Sequence, residues 1–217
     1  MFSGKPIIGI AGGIGSGKSF VASLLAERNC LVINSDEMVK QAYKDPGIKQ
    51  ALRQWWGKLV FDPSGEVDRS AVARKVFTMP SERQRLERLI HPIVNERRKQ
   101  AMNHAAANPK IVAFVWDTPL LFETELNKLC DAVIFVDTPV NVRVQRLKET
   151  RGWDQAELER RENSQMSLDK KRSLSHYVVV NAADADSVRG QVTEVLSRIL
   201  AGTPPTPAAA GAENVGR

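Results

Sequence analysis

Residues 12–19 read Gly-Gly-Ile-Gly-Ser-Gly-Lys-Ser, which fits G-x-x-x-x-G-K-[ST]. Glycines let successive backbone N–H groups turn inward, and a helix starting behind them adds the positive end of its dipole. Gly13, Ile14, Gly15, Ser16, Gly17, Lys18, Ser19 and the backbone of Phe20 are therefore expected to cradle phosphate oxygens. Lys18 supplies an ammonium that can follow charge on the β- and γ-phosphates, and the Ser19 hydroxyl suits Mg2+ bridging them. The chemistry indicated is binding of a nucleoside triphosphate, ATP being the expected one, with Mg2+; the loop alone does not separate a kinase from a motor or a switch GTPase. A plain glycine-rich turn needs neither Lys18 nor Ser19.

Two carboxylates follow at informative places. Asp36 comes just after an apolar run, Leu31–Asn34, where it can accept a proton from an acceptor hydroxyl or, like Ser35, cap the next helix. Asp117 ends another apolar run, where a carboxylate meets magnesium directly or through water. The alternative for Asp117 is a turn residue ahead of Thr118-Pro119.

These residues need a scaffold, and the pattern around them supplies one. Short apolar runs at Ile7–Ile10, Leu31–Asn34, Ile111–Trp116, Ala132–Val136 and Tyr177–Val180 alternate with helical stretches. That alternation predicts an α/β fold with about five parallel strands covered by helices. Between the second and third strands lies more chain than a crossover needs, so a helical insertion is expected over about 44–109, with a turn at Asp62-Pro63-Ser64-Gly65. A second helical excursion, about 143–175, is expected to form a lid. The domain is read as 1–201, and 202–217, rich in Pro, Ala, Gly and Thr, as a disordered tail.

Composition narrows the class. The 217 residues suit one such domain, and the two cysteines, Cys30 and Cys130, lack the spacing of a metal or disulfide framework and read as buried thiols. With no basic and apolar leader and no apolar run of roughly 18 residues, the chain is expected in the cytoplasm with no membrane partner. A net charge of +6 is spread through mixed-sign helices, which fits a polyanionic small substrate and predicts no nucleic-acid partner.

Three segments together resemble the dephospho-coenzyme A kinase family: Gly9-Ile10-Ala11 with the glycine loop, Asn34-Ser35-Asp36, and Pro119-Leu120-Leu121-Phe122-Glu123. Gly65-Glu66-Val67-Asp68-Arg69, Val76-Phe77 and Leu89-Ile90-His91-Pro92 are similar to that family's acceptor-binding region. Val136-Asp137-Thr138, Arg146-Leu147, Arg161, Gln165, Lys171 and Val180-Asn181 are similar to its lid and nucleotide-side strand end. The resemblance implies transfer from ATP to the ribose 3'-hydroxyl of dephospho-coenzyme A, by a monomer or weak homo-oligomer. It makes Asp36 the base, with Lys18 and Arg146 the catalytic cations. Arg69, Arg74, His91 and Arg161 would contact the substrate, and Arg146 and Asn181 the nucleotide.

For the basic residues the other readings are solvated helix charges, ion pairs of Arg143, Arg146 and Glu149 along one helix, and for His91 a turn before Pro92. The chain departs from the family pattern at Phe20 in place of Thr, at Arg151, at Ser175-His176 and at Ala182-Ala183-Asp184. Another small-molecule P-loop kinase stays open. A GTPase-type switch fits less well, because Asn127-Lys128 runs into Leu129-Cys130 without the acid that reads guanine.

Overall fold

The structure is a computed structural model that describes residues 1–182 and 184–202. Most of the tail expected over 202–217, and Ala183, lie outside the described residues. The chain divides into two compact units, one formed by Met1–Ile33 together with the chain from Ala105 onward, the other by Asn34–His104.

The first unit is built on five parallel strands: β1 (Ile7–Gly12), β2 (Cys30–Asn34), β3 (Ala113–Asp117), β4 (Ala132–Asp137) and β5 (Tyr177–Val180). Their order across the sheet is β2-β3-β1-β4-β5. β1 lies in the middle, with Ile10 opposite Asp117 on one side and Ile134 on the other. All six of its residues are buried, so it reads as an unbroken apolar run with no polar alternation. β3 starts two residues later than the sequence suggested. Ile111 N–H closes a turn onto Asn108, and Val112 N–H reaches Asn29 outside the strand ladder.

Helix α1 (Lys18–Ala26) lies along one face of the sheet, burying Val21, Ala22, Leu24 and Leu25 against Ile8, Ile10 and Ile134. The last helix shares that layer through Val188, Val192, Leu196 and Ile199. On the opposite face Ala11, Leu121, Phe122, Val133 and Phe135 form a second cluster. Each fully buried Leu or Ile contributes about 2 kcal/mol, so the two layers fix β1, and with it the loop that follows.

The second unit is helical, with α2 (Ser35–Ala42), α3 (Pro46–Trp56), α4 (Arg69–Thr78) and α5 (Pro80–Ala106), the last running past the unit's end. Its core joins Ile48, Leu52, Trp56, Val72, Leu86, Ile90 and Val94. The turn at Asp62–Gly65 is present, tied by Asp62 accepting from Ser64 N–H, Ser64 Oγ and Glu66 N–H. It is an exposed corner of this unit, with no strand leading into it. Back in the first unit follow α6 (Val140–Arg151), α7 (Gln155–Glu162), α8 (Leu168–Ser173) and α9 (Ala185–Leu200). Among the described residues, no helix is long and apolar enough to cross a membrane. Cys30 is buried and its thiol is pushed up to about 12 by burial, whereas Cys130, also expected to be buried, is only partly so.

Candidate active site

The loop between β1 and α1 lies at the carboxyl end of the central strand, where a doubly wound sheet opens a crevice. Two of its glycines are required by close approach. A Cβ on Gly17, whose φ is +86°, would stand 2.2 Å from Asn181 Nδ2, and one on Gly13 would stand 2.7 Å from Arg143 Nη1. The loop is braced from below, because Ser16 C=O accepts from Asn181 Nδ2 at 2.8 Å and from Thr138 Oγ1 at 2.9 Å. Asn181 is buried, so its amide group is engaged in holding the loop. Phe20 N–H donates to Gly17 C=O at 3.0 Å, within the first helical turn, and its ring is exposed.

Lys18 Nζ donates to the carbonyls of Gly12 at 3.1 Å and Gly13 at 2.8 Å. Burial is the main cause that lowers its pKa to about 8; Lys171 and Arg143 push the same way, and Asp117 and Glu162 oppose them. An ammonium held on loop carbonyls with a depressed pKa is poised to gain from an arriving anion. Beside it, Ser19 Oγ lies 3.3 Å from Asp117 Oδ2. Asp117 is the last residue of β3 and is buried, which removes the turn reading. A hydroxyl and a carboxylate converging there are hard oxygen donors of the kind a small divalent cation takes.

The helices after β4 close around this loop. Arg146 Nη2 donates to Asn181 C=O at 3.3 Å, and its other terminal nitrogen, Nη1, is buried with no hydrogen-bond partner among the described residues. Arg143 had the reading of a surface ion pair along its helix, and the structure overturns it. Arg143 is buried, bonds Glu162 at 2.7 Å, and donates to the carbonyls of Ile14 and Thr138. Sequence reasoning missed both members of that pair. The spacing of three from Arg146 puts Arg143 on the same helix face and was the available signal. Arg161 is not brought to the loop: it is exposed, bonded to Glu157 at 2.7 Å and stacked 4.0 Å over Trp153. Arg151 lies over the same ring.

Lys171 is buried, held by Glu123 at 2.9 Å and Gln165 at 3.1 Å, which ties the Leu121-Phe122-Glu123 segment to α8. His176, where the family pattern differs, accepts from Val133 N–H through Nδ1, just ahead of the pairing of β4 with β5.

The remaining candidates lie in the helical unit. Asn34, not Ser35 or Asp36, caps α2, its Oδ1 accepting from Glu37 N–H at 2.9 Å. The capping reading of Asp36 therefore falls, and its exposed carboxylate occupies the first turn of the helix. Buried Arg98 steadies that turn by donating to Ser35 Oγ at 3.1 Å. Arg69 opens α4 behind the Asp68 cap and acts electrostatically on Tyr43, whose hydroxyl burial pushes up in pKa. Arg74 is largely exposed, 3.9 Å from Asp68. His91 is no turn residue, because Pro92 lies inside α5. The apolar face Leu86, Ile90 and Val94 carries the helix through a proline that cannot donate to the Arg88 carbonyl. His91 is exposed and lines an open groove with Gln84, Glu87, Arg88, Pro92 and Asn95.

The family model described as Dephospho-CoA kinase matches residues 6–187. A dephospho-CoA kinase of Anaeromyxobacter dehalogenans is 34% identical over 198 residues, covering 90% of this chain and 93% of that protein. One from Thermobifida fusca is 33% identical over 190 residues, covering 87% and 93%. Among solved structures, TT1252 from Thermus thermophilus superposes with a TM-score of 0.78 at 29% identity, covering 90% of this chain and 98% of that one. The dephospho-CoA kinase of Campylobacter jejuni shares the fold, with a TM-score of 0.67 at 19% identity over 91% of this chain and 98% of that one. With a family model spanning most of its length and relatives of this identity over nearly their whole chains, the protein belongs to the dephospho-CoA kinase family.

Proposed function

We propose that the loop from Gly13 to Ser19, with Asp117 and Arg146, handles the phosphates of ATP, and that the helical unit receives the acceptor. The reaction is that of a dephospho-CoA kinase, the final step of coenzyme A biosynthesis, and the kinase family uses ATP. One observation carries the assignment of the donor side: Ser19 Oγ and Asp117 Oδ2 lie 3.3 Å apart beside a lysine whose pKa is lowered to about 8. A bare glycine turn has no use for that arrangement.

In this reading Lys18 leaves the carbonyls of Gly12 and Gly13 and meets the β- and γ-phosphate oxygens, where its charge is worth more as negative charge builds on the transferring group. Ser19 and Asp117 would hold Mg2+, which when bound would neutralise phosphate charge. Arg146 directs Nη1, which has no partner among the described residues, toward phosphate, while Asn181 and Thr138 keep the loop in register. Asp36 orients the ribose 3'-hydroxyl and takes its proton as transfer proceeds. Arg69, Arg74 and His91 supply cations and donors for the anionic acceptor, and Arg161 leaves Glu157 to complete the lid when substrates are present. The reducing cytoplasm, where coenzyme A precursors are soluble anions, suits a chain whose two cysteines, Cys30 and Cys130, lack the spacing of a disulfide framework.

The test is coupled ADP release by the purified protein with ATP and magnesium, using dephospho-CoA against no acceptor, adenosine, AMP and shikimate. Release dependent on dephospho-CoA, matched by coenzyme A, is expected in the wild type and strongly reduced in Asp36→Asn. Release in Asp36→Asn equal to the wild type would remove Asp36 from the chemistry.

A further inference from the structure

One amide of the glycine loop already holds an anion. Ile14 N–H donates to Glu162 Oε1 at 3.0 Å, and Arg143 Nη1 binds the same carboxylate oxygen at 2.7 Å. Arg143 also donates from Nη1 to Ile14 C=O at 3.2 Å and from Nε to Thr138 C=O at 3.2 Å. Gly13 permits this crowding: a Cβ there would stand 2.7 Å from Arg143 Nη1 and 2.9 Å from Glu162 Oε1. The pair is therefore fitted to the loop. Arg143 is fixed by two backbone carbonyls independently of Glu162. Glu162, by contrast, is the last residue of α7, and Ile14 N–H and Arg143 hold its carboxylate at the loop.

A backbone N–H in such a loop attracts one anion at a time, and a carboxylate on it repels an arriving phosphate. Removing the carboxylate relieves that repulsion and leaves Arg143, still tethered, as an unneutralised cation beside the loop. Both effects act in the same direction on nucleotide affinity. Glu162 also follows Arg161 directly, so its release loosens the turn of α7 that parks Arg161 on Glu157 and Trp153.

We propose that Glu162 is an internal anion occupying the Ile14 amide until a nucleotide phosphate displaces it, so that Glu162 and Arg143 set nucleotide affinity. The inference rests on the reading that this loop binds nucleotide phosphate. A loop whose open form is only part of the population binds with an affinity reduced by that fraction.

The test is calorimetric binding of ATP and of ADP to the full-length wild type, Glu162→Gln, Glu162→Ala and Lys18→Ala, with thermal melts to check folding. Both Glu162 variants are expected to bind about five-fold tighter or more. In steady state they should lower the KM for ATP without raising kcat, a split that a loop-supporting strut would not produce. Unchanged or weaker binding in a folded Glu162 variant overturns the proposal. The wild type gives an answer without substitution, because the Ile14 amide resonance in a 15N-labelled sample must shift as ADP displaces Glu162, and an Ile14 resonance indifferent to saturating ADP overturns it too. Lys18→Ala separates the two levels. Weakened binding there, with no tightening in the Glu162 variants, discards this inference alone. Wild-type affinity in Lys18→Ala discards the phosphate-loop reading with it.

Discussion

Apart from exposed Ser19, Phe20 and Arg161 in the sheet-based unit, the two units hold their candidate residues in opposite ways. In the sheet-based unit Lys18, Asp117, Arg143, Arg146 and Asn181 are at least partly buried, and hydrogen bonds link them to the loop or to one another. In the helical unit Asp36, Arg69, Arg74 and His91 are all exposed. The difference follows from what each must recognise. Phosphate is small and invariant, so most of its cradle can be laid down beforehand, leaving Lys18 and Glu162 to exchange partners when it arrives. A large acceptor is met by side chains whose ordering is left until it arrives, at an entropic cost.

The most severe way to break this contrast is Lys18→Ala, expected to lower phosphoryl transfer by about 10³-fold and to weaken ATP binding in the same protein, read by single-turnover kinetics and calorimetry. Asp36→Asn, in the exposed set, should lower kcat by about 10²-fold yet leave the ATP Kd within about two-fold. Loss of ATP binding in that variant would mean the two sets are not separable.

Stability offers a sharper form of the comparison. Lys171→Met strands the Glu123 carboxylate against a buried neighbour and should cost about 3 kcal/mol in urea unfolding. Arg74→Met, removing a loose pair at 3.9 Å, should cost below about 0.5 kcal/mol. Equal costs would show that burial does not distinguish the units.

Lys18 also gives a pH dependence whose sign is fixed. Its ordinary pKa of 10.5 falls to about 8 in the loop, so the group loses its proton there as pH rises through 8. Bound triphosphate favours the ammonium, and nucleotide binding near pH 8 should take up protons. Calorimetry in buffers of different ionisation enthalpy would detect about half a proton, absent in Lys18→Met. For folding, the unfolded chain holds that proton up to 10.5. The burial penalty is therefore full below about 8 and is relieved as pH climbs toward 10.5. The smallest expected effect is Phe20→Thr, which adds a hydroxyl at the start of α1 and should tighten ATP by about two-fold. A larger gain would mean that the exposed ring obstructs the loop.

The strands were legible because a sheet buried on both faces leaves apolar runs that helices do not interrupt, and β5 matches its expected span, Tyr177–Val180, residue for residue. The glycine loop was legible because its backbone demands those residue types. Arg143 and Glu162 were not, since they meet across 19 positions on two separate helices and no spacing rule links them. His91-Pro92 misled because proline marks a break only where packing does not carry the helix through. At Asp36, the last residue of the strand proved also to be the cap, a double use that local preference for Ser or Asp does not reveal.

That double use of Asn34 has a consequence for how the chain tolerates length change. β2 passes into α2 with no residue between them, so position 36 is addressed by helical phase. One inserted residue after Asn34 would rotate everything downstream by about 100° and send the Asp36 carboxylate to a different face of the helix. The exposed corner at Asp62–Gly65 can absorb the same insertion as slack. Indel tolerance should therefore be sharply uneven along the helical unit, near zero at its first residue, Asn34, and generous at its first hairpin-like turn.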